Sequence, residues 1–323
     1  MSVLKNIVVL LCIPVCITFL VQSNRPPSIN TQPDSIVYYK SGEAVQLPCK
    51  AGGFPTPTFS WKRNGIDFNP SGNDDRFTQL PGEGTLVINV PQDKDEGLFQ
   101  CIATNSFGVS VSTLVQLRMG KLNDFPIGPS ITHRTHLGES LVLNCIPPAS
   151  VPMADIIWVL RTPEGHIESI NLNNRISMDF DGRLHIASVQ TQDYQDGKAY
   201  VCMANNYFMR QNVYDKNQYI NPMGSTPFNR PPQYSWASPS DMIGLKGQEL
   251  KLKCIFSGNP TPDVIWLKDT VDLSHHYKVS LGGQELTIPS LTEHDAGTYE
   301  CIGRNTNMPT ASRSLNVRVQ CKL

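Results

Sequence analysis

A chain of 323 residues with 40% hydrophobic content is long enough to bury several cores, and 27 Lys and Arg against 28 Asp and Glu leave a formal charge of −1. The charges are scattered, so no basic stripe is offered to a nucleic-acid backbone or to an anionic lipid surface. Nine cysteines leave room for several disulfides if the compartment is oxidising, which the amino terminus decides.

At the amino terminus Lys5 precedes the apolar run Ile7–Val21, which Pro14 interrupts, and Val21 and Ser23 set up cleavage after Ser23. That is the order of a secretory signal, so residues 1–23 are read as a leader and the mature chain as secreted, beginning near Asn24. The alternative is an uncleaved anchor; the run is shorter than the roughly 20 residues that a helical span needs, and nothing later approaches that length. Cys12 and Cys16 would leave with the leader.

Further along, a cysteine, a tryptophan and a second cysteine recur three times: Cys49, Trp61 and Cys101; Cys145, Trp158 and Cys202; Cys254, Trp266 and Cys301. Each Trp stands 12 or 13 residues after the first Cys, the distance that one strand, a turn and half of the next strand occupy in an immunoglobulin-like sandwich. The fold class is therefore all-β, with three tandem sandwiches of about 100 residues each. They are placed at 24–119, 124–220 and 233–320. Each should carry one disulfide, Cys49–Cys101, Cys145–Cys202 and Cys254–Cys301, contributing on the order of 4 kcal/mol by closing a loop of roughly 50 residues. Cys321 is left over as an unpaired tail thiol or a link to another chain.

The phrase before each second cysteine adds detail. Asp295-Ala296-Gly297-Thr298-Tyr299-Glu300-Cys301 is a tyrosine-corner sequence, in which Tyr299 bonds back to upstream backbone. Phe99 replaces that tyrosine in the first set, so its corner should be weaker by about 1 kcal/mol. In the second set Tyr200 is kept, but Asp193, Asp196 and Gly197 are spaced differently, and the turn should be one residue longer. Ahead of each corner, Leu86/Ile88, Leu184/Ile186 and Leu286/Ile288 alternate with Val87, His185 and Thr287, the period of two of a half-buried strand. Core positions are thus assigned to Trp61, Trp158, Trp266, Phe99, Tyr200 and Tyr299.

The linkers differ. Arg118–Asn123 is short, which calls for the first two sandwiches to sit nearly end to end. Residues 221–232 contain Asn221, Pro222, Gly224, Pro227, Pro231 and Pro232, too many breakers to continue a ladder, and read as a hinge through which the third sandwich turns back beside the second, in exchange with an open form.

No enzyme chemistry is legible. The histidines stand in no nucleophile or metal-ligand phrase; His275, His276 and His294 fall in a loop and a turn. Gly52-Gly53 and Gly282-Gly283 lack the Lys-Ser/Thr of a phosphate loop. Lys251 and Lys253 flank Leu252 as ordinary strand alternation. No cofactor and no metal are implied, and no Asn-x-Ser/Thr acceptor is present, Asn105 and Asn305 failing at the third position.

Several phrases are more specific than the cysteine spacing: Asn24-Arg25-Pro26-Pro27, Pro81-Gly82-Glu83-Gly84-Thr85-Leu86, Leu122-Asn123 and Asn229-Arg230-Pro231-Pro232-Gln233-Tyr234. Through them the chain resembles the neuroglian-type neural cell-adhesion molecules and the related soluble immune protein hemolin. The resemblance implies a horseshoe in which the second domain lies against the third, with the bend at 221–232. It also implies protein partners, either like chains or other immunoglobulin-superfamily cell-surface receptors, as in neuronal adhesion and axon guidance. With no fourth domain or membrane span after the third set, a soluble form is expected. The alternative is a hemolin-like immune factor that binds microbial surface glycolipid and haemocytes.

Overall fold

The computed structural model describes residues 23–321 apart from 71, 73, 274 and 275. Residues 1–22 of the expected leader, with Cys12 and Cys16, and also His275, lie outside the described residues.

Three β-sandwiches follow one another, each closed by a disulfide: Cys49–Cys101, Cys145–Cys202 and Cys254–Cys301, with Cα atoms 6.5, 6.0 and 6.4 Å apart. One sheet of each has its first strand running parallel to its last. In the first sandwich Ile36–Tyr39 lies beside Val115–Met119, followed by Gly97–Asn105, Thr58–Arg63 and Ile66–Phe68. In the second, Ile131–His136 lies beside Gln218–Met223, and in the third Asp241–Leu245 beside Ala311–Gln320. The facing layer holds Val45–Leu47, Leu86–Ile88 and Phe77–Gln79 in the first sandwich, with counterparts in the others. Leu86, Ile88, Leu184, Ile186, Leu286 and Ile288 all point into cores, as a period of two requires. Cys321 is exposed and outside any disulfide.

The tryptophans are pinned as well as packed. Trp61 Nε1 donates to Gly84 O at 2.7 Å, Trp158 Nε1 to Gly182 O at 2.8 Å and Trp266 Nε1 to Gly283 O at 2.8 Å, so each indole satisfies its one polar atom on a backbone carbonyl inside the core. The glycine is needed in each case because the residue two before the tryptophan lies against it. A Cβ on Gly84 would meet Phe59 at 2.5 Å, one on Gly182 would meet Ile156 at 3.1 Å, and one on Gly283 would meet Val264 O at 1.7 Å.

The corner turns share a second device. Asp95, Asp193 and Asp295 are buried and accept the backbone N–H of Gln92, Gln190 and Thr292 at 2.8, 2.8 and 2.7 Å. Arg76 and Arg175 reach the first two from just before the strands Phe77–Gln79 and Ile176–Met178, whereas in the third sandwich the Tyr277 hydroxyl takes that place. Burial pushes the Asp295 carboxyl up, but hydrogen bonds from Tyr277 and Thr292 outweigh it and hold the group below its ordinary value. Tyr299 Oη donates to Asp295 O at 2.8 Å and Tyr200 Oη to Asp193 O at 3.3 Å.

Two expectations about these corners change. Phe99 has no hydroxyl, but Tyr39, on the strand Ile36–Tyr39, donates its own to Gln92 O at 2.7 Å, so the first corner still receives a tyrosine hydrogen bond from another direction. The second corner is longer by three residues, not one. Six residues separate Asp95 from Cys101 and Asp295 from Cys301, but nine separate Asp193 from Cys202. The extra length is absorbed by Gln195, Asp196 and Gly197, all at positive φ.

An asparagine four residues past each second cysteine was read only as a failed glycan acceptor in two cases, yet it is structural. Asn105 Nδ2 donates to Arg25 O and Pro55 O, both at 2.9 Å; Asn305 Nδ2 to Arg230 O at 3.3 Å and Pro260 O at 2.9 Å; Asn206 Nδ2 to Pro152 O at 3.0 Å. The amide ties a sandwich's entry segment to a proline loop. Its repeated spacing was visible in the sequence.

Gly283→Ala is expected to cost more than about 3 kcal/mol, because its Cβ would overlap a carbonyl that cannot retreat. Gly247→Ala, also at positive φ but with open space around it, should cost only about 1 kcal/mol. Urea unfolding of the two variants checks the difference.

Candidate functional site: the junction of the second and third sandwiches

The chain divides into two compact units at Met119 and Gly120, and the second and third sandwiches share the second unit. Their contact explains an anomaly of burial. The strand Leu250–Asn259 is buried at every position from Leu252 to Gly258, and His185, expected to point outward, is 3% exposed. Both strands are covered on the two faces, because the outer face of one sandwich's sheet lies on the outer face of the other's.

Named bonds cross the junction. His185 Nδ1 lies 2.9 Å from Ser235 Oγ, and its Nε2 lies 2.8 Å from Asp179 Oδ2. Asp179 also accepts the Arg183 guanidinium at 2.7 Å and the backbone N–H groups of Arg183 and Asp181. Next to them Trp236 donates to Asp181 Oδ2 at 3.0 Å and meets the Phe180 ring edge to face, centroids 5.5 Å apart. Gly258 N donates to Ala187 O at 3.0 Å, Gln284 Nε2 to Asn174 O at 2.8 Å, and Arg230 pairs with Glu139 at 2.9 Å. Gly282, read as a turn glycine, marks a close approach: a Cβ there would sit 2.4 Å from that of Asn174.

Lys253 corrects another reading. It is not an outward lysine of ordinary alternation but is 4% exposed, with its Nζ 5.7 Å from the Phe180 ring centroid and 3.5 Å from Glu285. Burial lowers its pKa, opposed by Glu285 and Asp179. At Asp179 burial raises the pKa, but the hydrogen bonds from His185 and the Arg183 backbone outweigh it, and the group is held below its ordinary value of 3.8.

The proposed hinge is shorter than 221–232. Asn221 and Pro222 continue the strand Gln218–Met223, paired with Arg134 and Thr135, and Pro231 and Pro232 lie in Arg230–Ala237. Pro222 is tolerated because the described ladder on its strand's other side is confined to Gln218. Only residues 224–229, with Gly224 and Pro227, lie between the strands, and all six are exposed. Among the described residues no group of three His, Cys, Asp or Glu side chains is placed to hold a metal.

Comparison with known proteins follows this architecture. An immunoglobulin-domain family model matches residues 26–105 and 231–305. Neuroglian of Drosophila melanogaster is 32% identical over 313 residues, covering 92% of this chain, and the neuronal cell adhesion molecule of Gallus gallus is 30% identical over 303 residues, covering 91%. The stretches 26–105 and 231–305 belong to the immunoglobulin-domain family. The chain is similar to neural adhesion molecules, of which it spans about a quarter of the length, 24% and 23% for these two. In fold it matches the insect immune protein hemolin with a TM-score of 0.79 at 23% identity, covering 92% of this chain and 78% of that one, and the N-terminal four immunoglobulin domains of a Dscam1 isoform with a TM-score of 0.65 at 22% identity, covering 93% and 79%. Among the described residues no helix is long and apolar enough to cross a membrane.

Trp236→Ala is expected to loosen the junction by roughly 2 kcal/mol, through the lost ring contact and the lost donor to Asp181. Cleavage within residues 224–229 by a limiting protease should accelerate while unfolding of the first sandwich stays unchanged. Acid should act on the same place. A depressed carboxyl contributes stability that is complete above its ordinary value and lost as pH falls through the folded one, so the Asp179 contribution should fade below about pH 3.8. Hydrogen exchange in Leu250–Asn259 should rise there, and Asp179→Asn should remove that pH step.

Proposed function

We propose that the chain is a secreted or cell-surface-associated recognition protein, not an enzyme, that binds like chains or other immunoglobulin-superfamily ectodomains in neuronal adhesion and axon guidance. The observation that carries this reading is identity of about 30% to neural adhesion molecules across nine tenths of the chain. The geometry supports it: the junction uses one sheet face of the second sandwich and one of the third, leaving the opposite faces open for partners. The leader read over residues 1–23 supports export. Cys321, exposed near the end, is the candidate for a covalent link to another chain.

A second reading, a hemolin-like soluble immune factor that binds microbial glycolipid and haemocytes, rests on likeness of fold. Fold alone does not fix function.

Beads coated with the mature protein, and cells displaying neural immunoglobulin-superfamily ectodomains, discriminate the two. Aggregation of the beads, or their capture by those cells, is expected. Capture only by glycolipid vesicles and haemocytes would transfer the assignment to the immune reading, and no capture by either would remove both.

A further inference from the structure

The second sandwich carries a small apolar cluster outside its core. Along the strand Asp155–Arg161, Trp158 and Leu160 point into the sandwich, which leaves Asp155, Ile157, Val159 and Arg161 on the outer face, the one turned away from the third sandwich. On that face Val159, Ala199 and Val201 are nevertheless 5%, 1% and 0% exposed, with Ile157, Met203 and Tyr219 packed around them. Arg161 helps to roof them. Its guanidinium lies 5.0 Å from the Tyr214 ring centroid and donates to Asn217 Oδ1 at 3.0 Å, and Asn217 in turn donates to the Tyr219 hydroxyl at 3.3 Å. The face is therefore held in place before any partner arrives, and it shows Tyr, Met and Arg, the residue types enriched in interface anchors.

Its charges are arranged for self-recognition. Asp155 and Arg161 stand at opposite ends of one outward row, about 20 Å apart along the strand. Neither has an ion-pair partner among the described residues, and the other charged pair on the neighbouring strands, Lys198 with Glu168, is closed at 2.7 Å. A two-fold axis lying between two such faces and passing near Trp158 reverses the row. It sets Asp155 against Arg161 of a second copy, Arg161 against its Asp155, and the two half-buried Ile157 side chains on either side of the axis. A row reading acid, apolar, apolar, base is complementary to itself under that operation and to no single-sign surface. We propose that this face, on Asp155–Arg161 with Met203, Tyr214 and Tyr219, is the docking surface for a second copy of the same chain. The proposal rests on the reading of the chain as a protein that recognises like modules and names the surface that does so.

Charge reversal tests it in a way that other partners cannot imitate. D155R places bases at both ends of the row and R161D places acids at both ends, so each alone should weaken self-association, read by sedimentation velocity of the mature chain, by roughly tenfold or more. Mixed together the two variants should associate with each other, since every end contact is again opposite in sign. Ile157→Lys, a half-buried position outside the sandwich core, should also weaken association, and thermal unfolding of each variant reports whether it folds. Self-association unchanged by all three variants, no rescue on mixing of folded D155R and R161D, or a wild-type chain that stays monomeric at every concentration would each overturn the proposal. In the first two cases the adhesion reading stands, with its contact elsewhere. In the third it stands if the beads still bind cells displaying other ectodomains, and falls if they do not.

Discussion

The second half of the molecule depends on one strand, Leu250–Asn259, being buried on both faces. A β-strand exposes alternate side chains to opposite sides, so burying all of them requires a core on one side and a neighbouring domain on the other. Leu252, Cys254 and Phe256 fill the third sandwich, while Lys253, Ile255 and Ser257 face the second. The amphipathic lysine is the telling member, because its charged end can be taken from water only where Glu285 and the face of Phe180 receive it. The hydrogen bond of His185 to Ser235 then fixes which part of one face meets which part of the other, since a displaced register would leave the buried imidazole, held on its other side by Asp179, without that partner.

Much of this was legible in the residues. Cysteine, tryptophan and corner spacing carry the three sandwiches because each position answers to a strict local requirement: a disulfide reach, an indole donor, a turn aspartate. The junction was legible only in part. Breaker residues between the second and third sets announced a reversal, but Pro222 and Pro231 occupy strands, because a proline loses nothing where the ladder on one side is absent. His185 and Lys253 read as outward residues, and the period of two is the same whether the outward side meets water or another domain. Ile255, directly after a core cysteine where the first sandwich has Lys50, was no signal by itself, because Ile146 at the same place in the second sandwich is exposed. The length of the second corner was hidden for a different reason. Nothing in Gln195-Asp196-Gly197 specifies three successive left-handed residues until the buried Asp193 and Tyr200 fix both ends of the turn.

Each sandwich is thus asked to do two separable things. One sheet of the second and one of the third are spent on holding the two together, through a polar network around Asp179 and His185 beside the ring contact of Phe180 with Trp236. The opposite sheet of the second sandwich carries a small apolar cluster with Asp155 and Arg161 outside any ion pair among the described residues. An arrangement of this kind lets the scaffold be rigid where domains meet and selective where partners meet, without either demand constraining the residues that serve the other.

The parallel pairing of an early strand with the last strand in every sandwich has a mechanical meaning. Ile36–Tyr39 against Val115–Met119, Ile131–His136 against Gln218–Met223 and Asp241–Leu245 against Ala311–Gln320 each join a segment near the start of a domain to the segment where the chain leaves it. When the two ends of such a domain are drawn apart, these strands slide past one another along their length. The hydrogen bonds between them are then loaded together in shear instead of being opened one at a time, as they would be if the strands were peeled apart from a shared end. Such a pairing is strongest where the bonds that bear a pull can break only as a group.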